Sequence, residues 1–213
     1  MQYRVRVTDG LKRSVDVVAS LLGLFILSPL LFSIGIAIKL DTPGPVFYRG
    51  KRAGRYEKPF RIFKFRTMVE DAEKVGGPST AYNDVRLTQT GKFLRRYKLD
   101  ELPQLLNILV GQMSFVGPRP QVEEYTKRYN TEEKIILSIR PGLTDYASLR
   151  FINLDKILGD DRVDERYARE IEPEKNRLRL KYVRERSTWV DFRILAETCL
   201  KLTKLRSLWN TKD

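Results

Sequence analysis

Val17 to Ile38 is a run of 22 residues without a charged side chain, and no other feature limits the fold as strongly. As a straight helix it would measure about 33 Å, enough to cross the hydrocarbon core of a bilayer. It is too long for the apolar region of a cleaved signal peptide, and no small-residue cleavage site stands out. Pro29 lies near its centre, preceded by Ser28. Proline removes one helical hydrogen bond and crowds the preceding turn, so a bend is expected there. The Ser28 hydroxyl can serve the carbonyl that proline leaves free. Basic residues flank both ends: Lys12 and Arg13 before, Lys39, Arg49, Lys51 and Arg52 after. The positive-inside rule then places both ends on one side, as in a re-entrant hairpin. Pattern alone leaves a spanning helix open as well. Arg13 and Asp16, three residues apart, are expected to pair on one helix face.

The remainder is polar, with a mean hydropathy of −0.38 over the whole chain. Lys and Arg outnumber Asp and Glu by 40 to 27, giving +13, which favours anionic partners. There is no histidine, which excludes a histidine base, a Ser-His-Asp triad and histidine-bound zinc. A single cysteine, Cys199, excludes an intrachain disulfide and a cysteine-rich metal site. Any metal would be oxygen-bound, which points to Mg²⁺.

Val46 to Arg49 and Phe60 to Arg66 read as a small antiparallel hairpin, with Lys64 and Arg66 on one face. Val69 to Val75 is expected as helix and Gly76 to Thr90 as loop. Leu102, Leu105, Leu106 and Leu109 mark an amphipathic helix, with Pro103 in its first turn and Gly111 as its stop. Further helices are expected over Glu123–Leu137, Glu165–Arg186 and Trp189–Trp209. The last is basic and aromatic enough to lie at a membrane interface. The fold class is therefore α+β, mainly helical.

Chemistry concentrates in two segments. In Arg95-Arg96-Tyr97-Lys98-Leu99-Asp100-Glu101, adjacent carboxylates follow basic residues where a helix begins. A helix start favours negative charge, so Asp100 is expected as an ionised nucleophile and Glu101 as a Mg²⁺ ligand. The plainer reading, two helix-capping acids, is favoured by spacing alone. In Gly117-Pro118-Arg119-Pro120, two prolines restrict the backbone around an arginine whose planar fork suits phosphate. A rigid turn with a solvent-facing arginine explains that segment equally well.

Taken in order, the Lys12-Arg13-x-x-Asp16 segment, Ser28-Pro29, Phe63-Lys64-Phe65-Arg66-Thr67-Met68, Leu99-Asp100-Glu101-Leu102-Pro103-Gln104, Met113 to Pro120 and Arg140-Pro141-Gly142-Leu143-Thr144 resemble the bacterial sugar transferase family. These are the monotopic phosphoglycosyl transferases. The resemblance runs from about Leu11 to Leu205. It implies one catalytic domain over residues 1–213, with a re-entrant helix-break-helix over 12–40 that bends at Ser28-Pro29. Residues 41–213 would form a catalytic region, with interfacial helices, on the cytoplasmic face of a bacterial inner membrane. The family's larger relatives carry a multi-span N-terminal region that the resemblance does not extend to.

The implied reaction moves a sugar 1-phosphate from a UDP-sugar to polyprenyl phosphate through a phospho-sugar-aspartyl intermediate, releasing UMP. Asp100 and Glu101 would be catalytic and would hold Mg²⁺, while Arg95, Arg119, Lys64, Arg66 and Arg140 would bind substrate. The implied partners are both substrates and membrane lipid, with no nucleic acid and with a homodimer left open. Many members continue Gly-Trp-Ala-Gln where this chain has Asp145-Tyr146-Ala147-Ser148, so the identity of the donor stays open. The rival readings are a glycosyl transferase that releases UDP, a hydrolase with aspartyl chemistry, and a non-enzymatic basic membrane scaffold.

Overall fold

A computed structural model describes residues 8–72, 84–159 and 162–210. The apolar run belongs to α1 (Thr8–Asp41), a helix of 34 residues with Pro29 inside it. Its central stretch is long and apolar enough to cross a membrane. Helical structure continues through Pro29 instead of breaking into two helices. The Ser28 hydroxyl explains how this is tolerated. It donates at 2.8 Å to the carbonyl of Phe25, four residues before the proline, which has no N–H to offer it.

Both halves of α1 pack on the same body. Leu24 and Leu27 lie against Phe60, Ile62, Leu105, Ile108 and Met113. Ile34 and Ile38 join Phe65 and Leu94. Phe25, Ile26, Phe32 and Leu40 face outward, at 70–83 % exposure, and need a non-aqueous cover. Arg13 and Asp16 do not pair with each other. Arg13 donates to the carbonyls of Ile108 (2.6 Å) and Leu109 (2.8 Å), and Asp16 accepts from the N–H of Phe115 at 3.2 Å. Lys12 reaches Asp191 at 2.5 Å, and Asp9 meets Arg186 at 3.0 Å. At the other end, Asp41 accepts from the N–H of Thr90 at 2.9 Å.

The expected hairpin is present but interrupted. Strand β1 (Phe47–Tyr48) and strand β2 (Lys51–Ala53) lead out, while β3 (Pro59–Arg61) and β4 (Lys64–Phe65) return. β2 pairs with β3 and β1 with β4, both antiparallel and in one common register. The gap falls at Phe63, whose N–H is taken by the Asn107 side chain at 2.8 Å. Of the expected helix over Val69–Val75, only Ala72 is helical among the described residues. Most of the expected loop after it lies outside them.

Next come α2 (Gln89–Arg96), capped by Thr88, then a 3₁₀ turn over Leu99–Glu101, then α3 (Gln104–Leu109). Gly111, at φ +87°, closes α3 in a conformation that favours glycine. Strand β5 (Ser114–Val116) follows, then the short helix α4 (Glu123–Thr126). The continuous helix expected over Glu123–Leu137 is not formed. Asn130 turns the chain by accepting from the N–H groups of Glu132 and Glu133, both at 2.9 Å, and a 3₁₀ segment, Glu133–Ser138, follows.

Strand β6 (Gly142–Thr144) pairs in parallel with β5, a pairing unforeseen from pattern. Helices α5 (Tyr146–Arg150), α6 (Leu154–Leu158) and α7 (Val163–Arg166) lead to a π turn, Tyr167–Ile171. From it runs α8 (Glu172–Glu185), and α9 (Thr188–Asn210) closes the chain. The expected Glu165–Arg186 helix is thus nearly continuous, with Pro173 just after the π turn. Val116, Ile139, Leu149, Tyr182, Val183 and Ile194 form the core shared by β5, α5, α8 and α9. Trp189 and Phe192 stack and are left exposed on the outer face of α9.

Candidate active site

Asp100 and Glu101 sit in the 3₁₀ turn, ahead of α3 rather than inside it. α3 has six residues, so its dipole contributes little at the dyad. The positive charge comes from side chains instead. Lys98 takes the left-handed conformation, φ +56°, and swings the chain from α2 into the dyad turn. A lysine pays a strain cost there, which is characteristic of functional turns.

Asp100 is buried at 5 % exposure. Its Oδ2 lies 3.5 Å from Lys64 Nζ, and its buried Oδ1 has no hydrogen-bond partner among the described residues. Glu101 is fully engaged. Its Oε1 accepts from Lys64 Nζ at 3.0 Å, and Arg119 closes on both oxygens, with Nη1 donating to Oε2 at 2.8 Å and Nη2 to Oε1. Burial by itself would raise the Glu101 pKa. The Arg119 guanidinium and the Lys64 ammonium outweigh it and hold the carboxyl well below the usual range. In return Glu101 keeps the half-buried Arg119 firmly charged.

Arg119 is aimed by the parallel strand pair. Gly117 N–H donates to Thr144 O and Gly142 N–H to Pro118 O, both at 3.0 Å, fixing the Pro-Arg-Pro segment against β6. There is no room for a side chain in this crossing: a Cβ on Gly142 would fall 2.1 Å from Gly117 N. Arg119 Nη1 also donates to Leu143 O at 3.2 Å. Its backbone N–H is held by Asp145 Oδ2 at 3.2 Å, while Asp145 Oδ1 caps α5 by accepting from Ser148 N–H at 2.6 Å. Asp145, the first residue of the Asp145-Tyr146-Ala147-Ser148 segment, therefore supports the arginine.

Around the dyad opens a cavity of about 660 Å³. Lys64, Arg95, Lys98 and Arg119 line its charged end, and Leu143, Leu195 and Leu202 belong to its apolar wall. Arg95 Nε donates to Thr67 Oγ1 at 3.0 Å; burial lowers its pKa and the nearby Asp100 pulls the other way. Five of the residues expected from sequence thus come together: Asp100, Glu101, Lys64, Arg95 and Arg119.

Two do not. Arg66 turns to the carbonyls of Thr42 (2.8 Å) and Pro43 and pins the loop after α1. Arg140 donates to Gly111 O at 3.0 Å and lines a separate small pocket with Arg13, Arg55 and Arg186. Sequence reasoning also passed over Lys175 and Arg179, both buried and both lining the main cavity. Their only signal was two basic residues one helical turn apart, hidden in a highly charged helix.

Among the described residues no group of three or more acidic or cysteine side chains could hold a metal. A cation at the dyad would draw on Asp100 and Glu101 alone, with substrate oxygens.

The family model for bacterial sugar transferases matches residues 7–205, a span that contains the dyad, the Pro-Arg-Pro segment and α1. The chain belongs to the bacterial sugar transferase family. A UDP-glucose:undecaprenyl-phosphate glucose-1-phosphate transferase of Escherichia coli (strain K12) is 39 % identical over 195 residues, covering 90 % of this chain and 40 % of that protein. A UDP-N-acetylgalactosamine-undecaprenyl-phosphate N-acetylgalactosaminephosphotransferase of Aeromonas hydrophila is 35 % identical over 142 residues, 65 % of this chain and 34 % of that protein. An exopolysaccharide production protein of Rhizobium leguminosarum bv. phaseoli is 41 % identical over 151 residues, 66 % of this chain and 74 % of its own length. This sugar transferase chain thus spans roughly two fifths of the first of these relatives and a third of the second.

Proposed function

We propose that this chain transfers a sugar 1-phosphate from a UDP-sugar to polyprenyl phosphate, with Asp100 as nucleophile and UMP as the leaving product. The observation that carries the reading is the buried Oδ1 of Asp100, without a hydrogen-bond partner among the described residues and set beside Lys64 at the charged end of a large cavity. A carboxylate oxygen left without a donor keeps a lone pair free to attack phosphorus. The names of the relatives, which specify undecaprenyl phosphate and a UDP-linked glucose or N-acetylgalactosamine, support the same substrates.

In the first half-reaction an Asp100 oxygen bonds to the phosphorus that bears the sugar. The bond from that phosphorus to the bridging oxygen breaks, and UMP leaves with the electron pair. In the second, a phosphate oxygen of the lipid attacks the same phosphorus, and Asp100 departs as a carboxylate. Lys64 neutralises charge between Asp100 and the phosphate. Arg119, rigidly mounted on the β5–β6 pair, offers its fork to the phosphoryl oxygens as Glu101 releases it.

Mg²⁺ fits the donor set, since one or two carboxylates plus substrate phosphates are its usual ligands, and it would neutralise the diphosphate. Asp100 would offer it the carboxylate oxygen that does not attack phosphorus. Glu101 has both oxygens occupied by Arg119 and Lys64, and can turn to a cation only when those two move to the phosphates.

We also propose that α1 is monotopic, entering the bilayer and returning to the cytoplasmic face of a bacterial inner membrane. Support comes from its two ends, which both bind the catalytic body, through Arg13 and through Asp41. The apolar outer face of α1 would then meet lipid, and the cavity would open where the lipid phosphate lies.

The direct test supplies the full chain, in lipid nanodiscs, with a panel of UDP-sugars and undecaprenyl phosphate. The expected result is UMP, with a phospho-sugar mass added to the peptide containing Asp100 when the lipid is withheld. Release of UDP, or an unmodified Asp100 under turnover, would overturn the reading.

A further inference from the structure

The same cavity contains a second pair of cations that the reaction described above does not use. Lys175 and Arg179 lie one turn apart on α8 and are 8 % and 1 % exposed. Burying a charge is costly unless it is paired. Yet among the described residues no carboxylate lies within ion-pair distance of either. Lys175 Nζ rests over two aromatic rings, 4.8 Å from the centre of Tyr167 and 5.6 Å from that of Phe151. Arg179 Nη1 donates to Asn176 (2.8 Å) and Tyr129 (3.4 Å), the Tyr167 hydroxyl is a further neutral neighbour, and the buried Nε has no partner among the described residues. Asp145 and Glu172 act on both only at longer range. Burial first, then Arg179 and Arg119, push the Lys175 pKa down to about 7, as expected for a cation held where its counter-ion is missing.

Packing does not account for two such groups in one wall. A neutral side chain of similar length would fill the space at lower cost. An anion arriving from the cavity would supply the missing charge. Arg119 lines the same cavity as the pair, so one elongated ligand lying in it can meet both.

We propose that Lys175 and Arg179 form a second oxyanion subsite, which binds a negatively charged group of the donor other than the phosphoryl group attacked by Asp100. That oxyanion is either the phosphate that leaves with the nucleoside or a carboxylate on the sugar. The proposal rests on the donor being a nucleoside diphosphate sugar, but its test does not require turnover.

The full chain in nanodiscs is titrated calorimetrically with UMP, glucose 1-phosphate and glucuronic acid 1-phosphate, as wild type, Lys175→Met, Lys175→Arg and Arg179→Gln, and each variant is melted without ligand. A loss of about ten- to a hundredfold in UMP affinity for Lys175→Met, with Lys175→Arg close to wild type, assigns the subsite to the leaving phosphate. The same loss confined to glucuronic acid 1-phosphate assigns it to an acidic sugar. In both cases Lys175→Met melts at or above the wild-type temperature, since a buried unpaired charge is gone. Unchanged affinity for all three ligands in folded Lys175→Met and Arg179→Gln would overturn the proposal, as would a lowered melting temperature with unchanged binding. Absence of UMP formation alongside intact, Lys175-dependent binding would instead count against the proposed reaction and leave the subsite standing.

Discussion

At the scale of single residues the site is a balance of charges forced close together in a buried space. Asp100 has an oxygen free, while Glu101 has none. Asp100→Asn is expected to lower UMP formation by a factor of about a thousand or more, with the melting temperature within a few degrees of wild type, because an amide cannot serve as the nucleophile. Full turnover in that variant would remove Asp100 from the mechanism.

Glu101 also has a pH signature. Its pKa is lower in the folded than in the unfolded chain, so its stabilising contribution is present above the unfolded carboxylate pKa and fades as pH falls below it. Wild type should therefore lose stability below about pH 4.5 more steeply than Glu101→Gln, as read from urea midpoints taken between pH 6 and pH 3. Equal slopes would mean that the Arg119 clamp on Glu101 does not persist in solution.

At the scale of elements, the parallel pair β5–β6 is the device that presents Arg119. It depends on two backbones crossing with no side chain between them. Gly142→Ala would set a Cβ 2.1 Å from Gly117 N. Separating the strands should cost about 1–3 kcal/mol and, by shifting Arg119, reduce turnover more than tenfold. A variant with normal stability and turnover would show that Arg119 needs no such mounting. The proline in α1 is a second device of this kind. The Ser28 hydroxyl takes over the carbonyl that Pro29 abandons, and Ser28→Ala should cost about 1 kcal/mol through that lost bond, measured by steric-trap unfolding in bilayers.

At the scale of the whole molecule, α1 has one face in the folded body and an apolar, exposed face opposite, the arrangement that the proposed monotopic anchor requires. Its inner face is shared with Phe60, Ile108 and Leu94, while its outer face carries Phe25 and Phe32. With Cys199 replaced by serine, Thr8→Cys and Thr42→Cys should label from the same side of inverted membrane vesicles. Labelling from opposite sides would establish a crossing. The excess of basic residues predicts that the detergent-free protein partitions to anionic vesicles more than to neutral ones, and that added salt erodes the difference.

The sequence alone determined the parts whose cause is local. An uncharged run of this length had to be an apolar helix, but the break expected at Ser28-Pro29 is absent, since the serine serves the carbonyl that proline leaves free and α1 continues. Leucines at helical spacing ahead of Gly111 had to form α3, and the absence of histidine excluded any histidine base or ligand. The ordered motifs also pointed to Asp100, Glu101, Lys64, Arg66, Arg95, Arg119 and Arg140 as one group, and the fold brings all but Arg66 and Arg140 to one cavity. What only the tertiary structure decided was which cation meets which partner. Arg66 and Arg119 are each basic residues within a motif, yet one pins a loop and the other clamps Glu101, because backbone carbonyls compete with carboxylates for the same guanidinium. Arg13 and Asp16 passed over each other for more distant backbone partners for the same reason. Lys175 and Arg179 were invisible in a helix rich in charge, since nothing local distinguishes a solvated cation from a buried one. Burial is a property of the assembled fold, and it turns two ordinary basic residues into a buried pair with no carboxylate at ion-pair distance among the described residues.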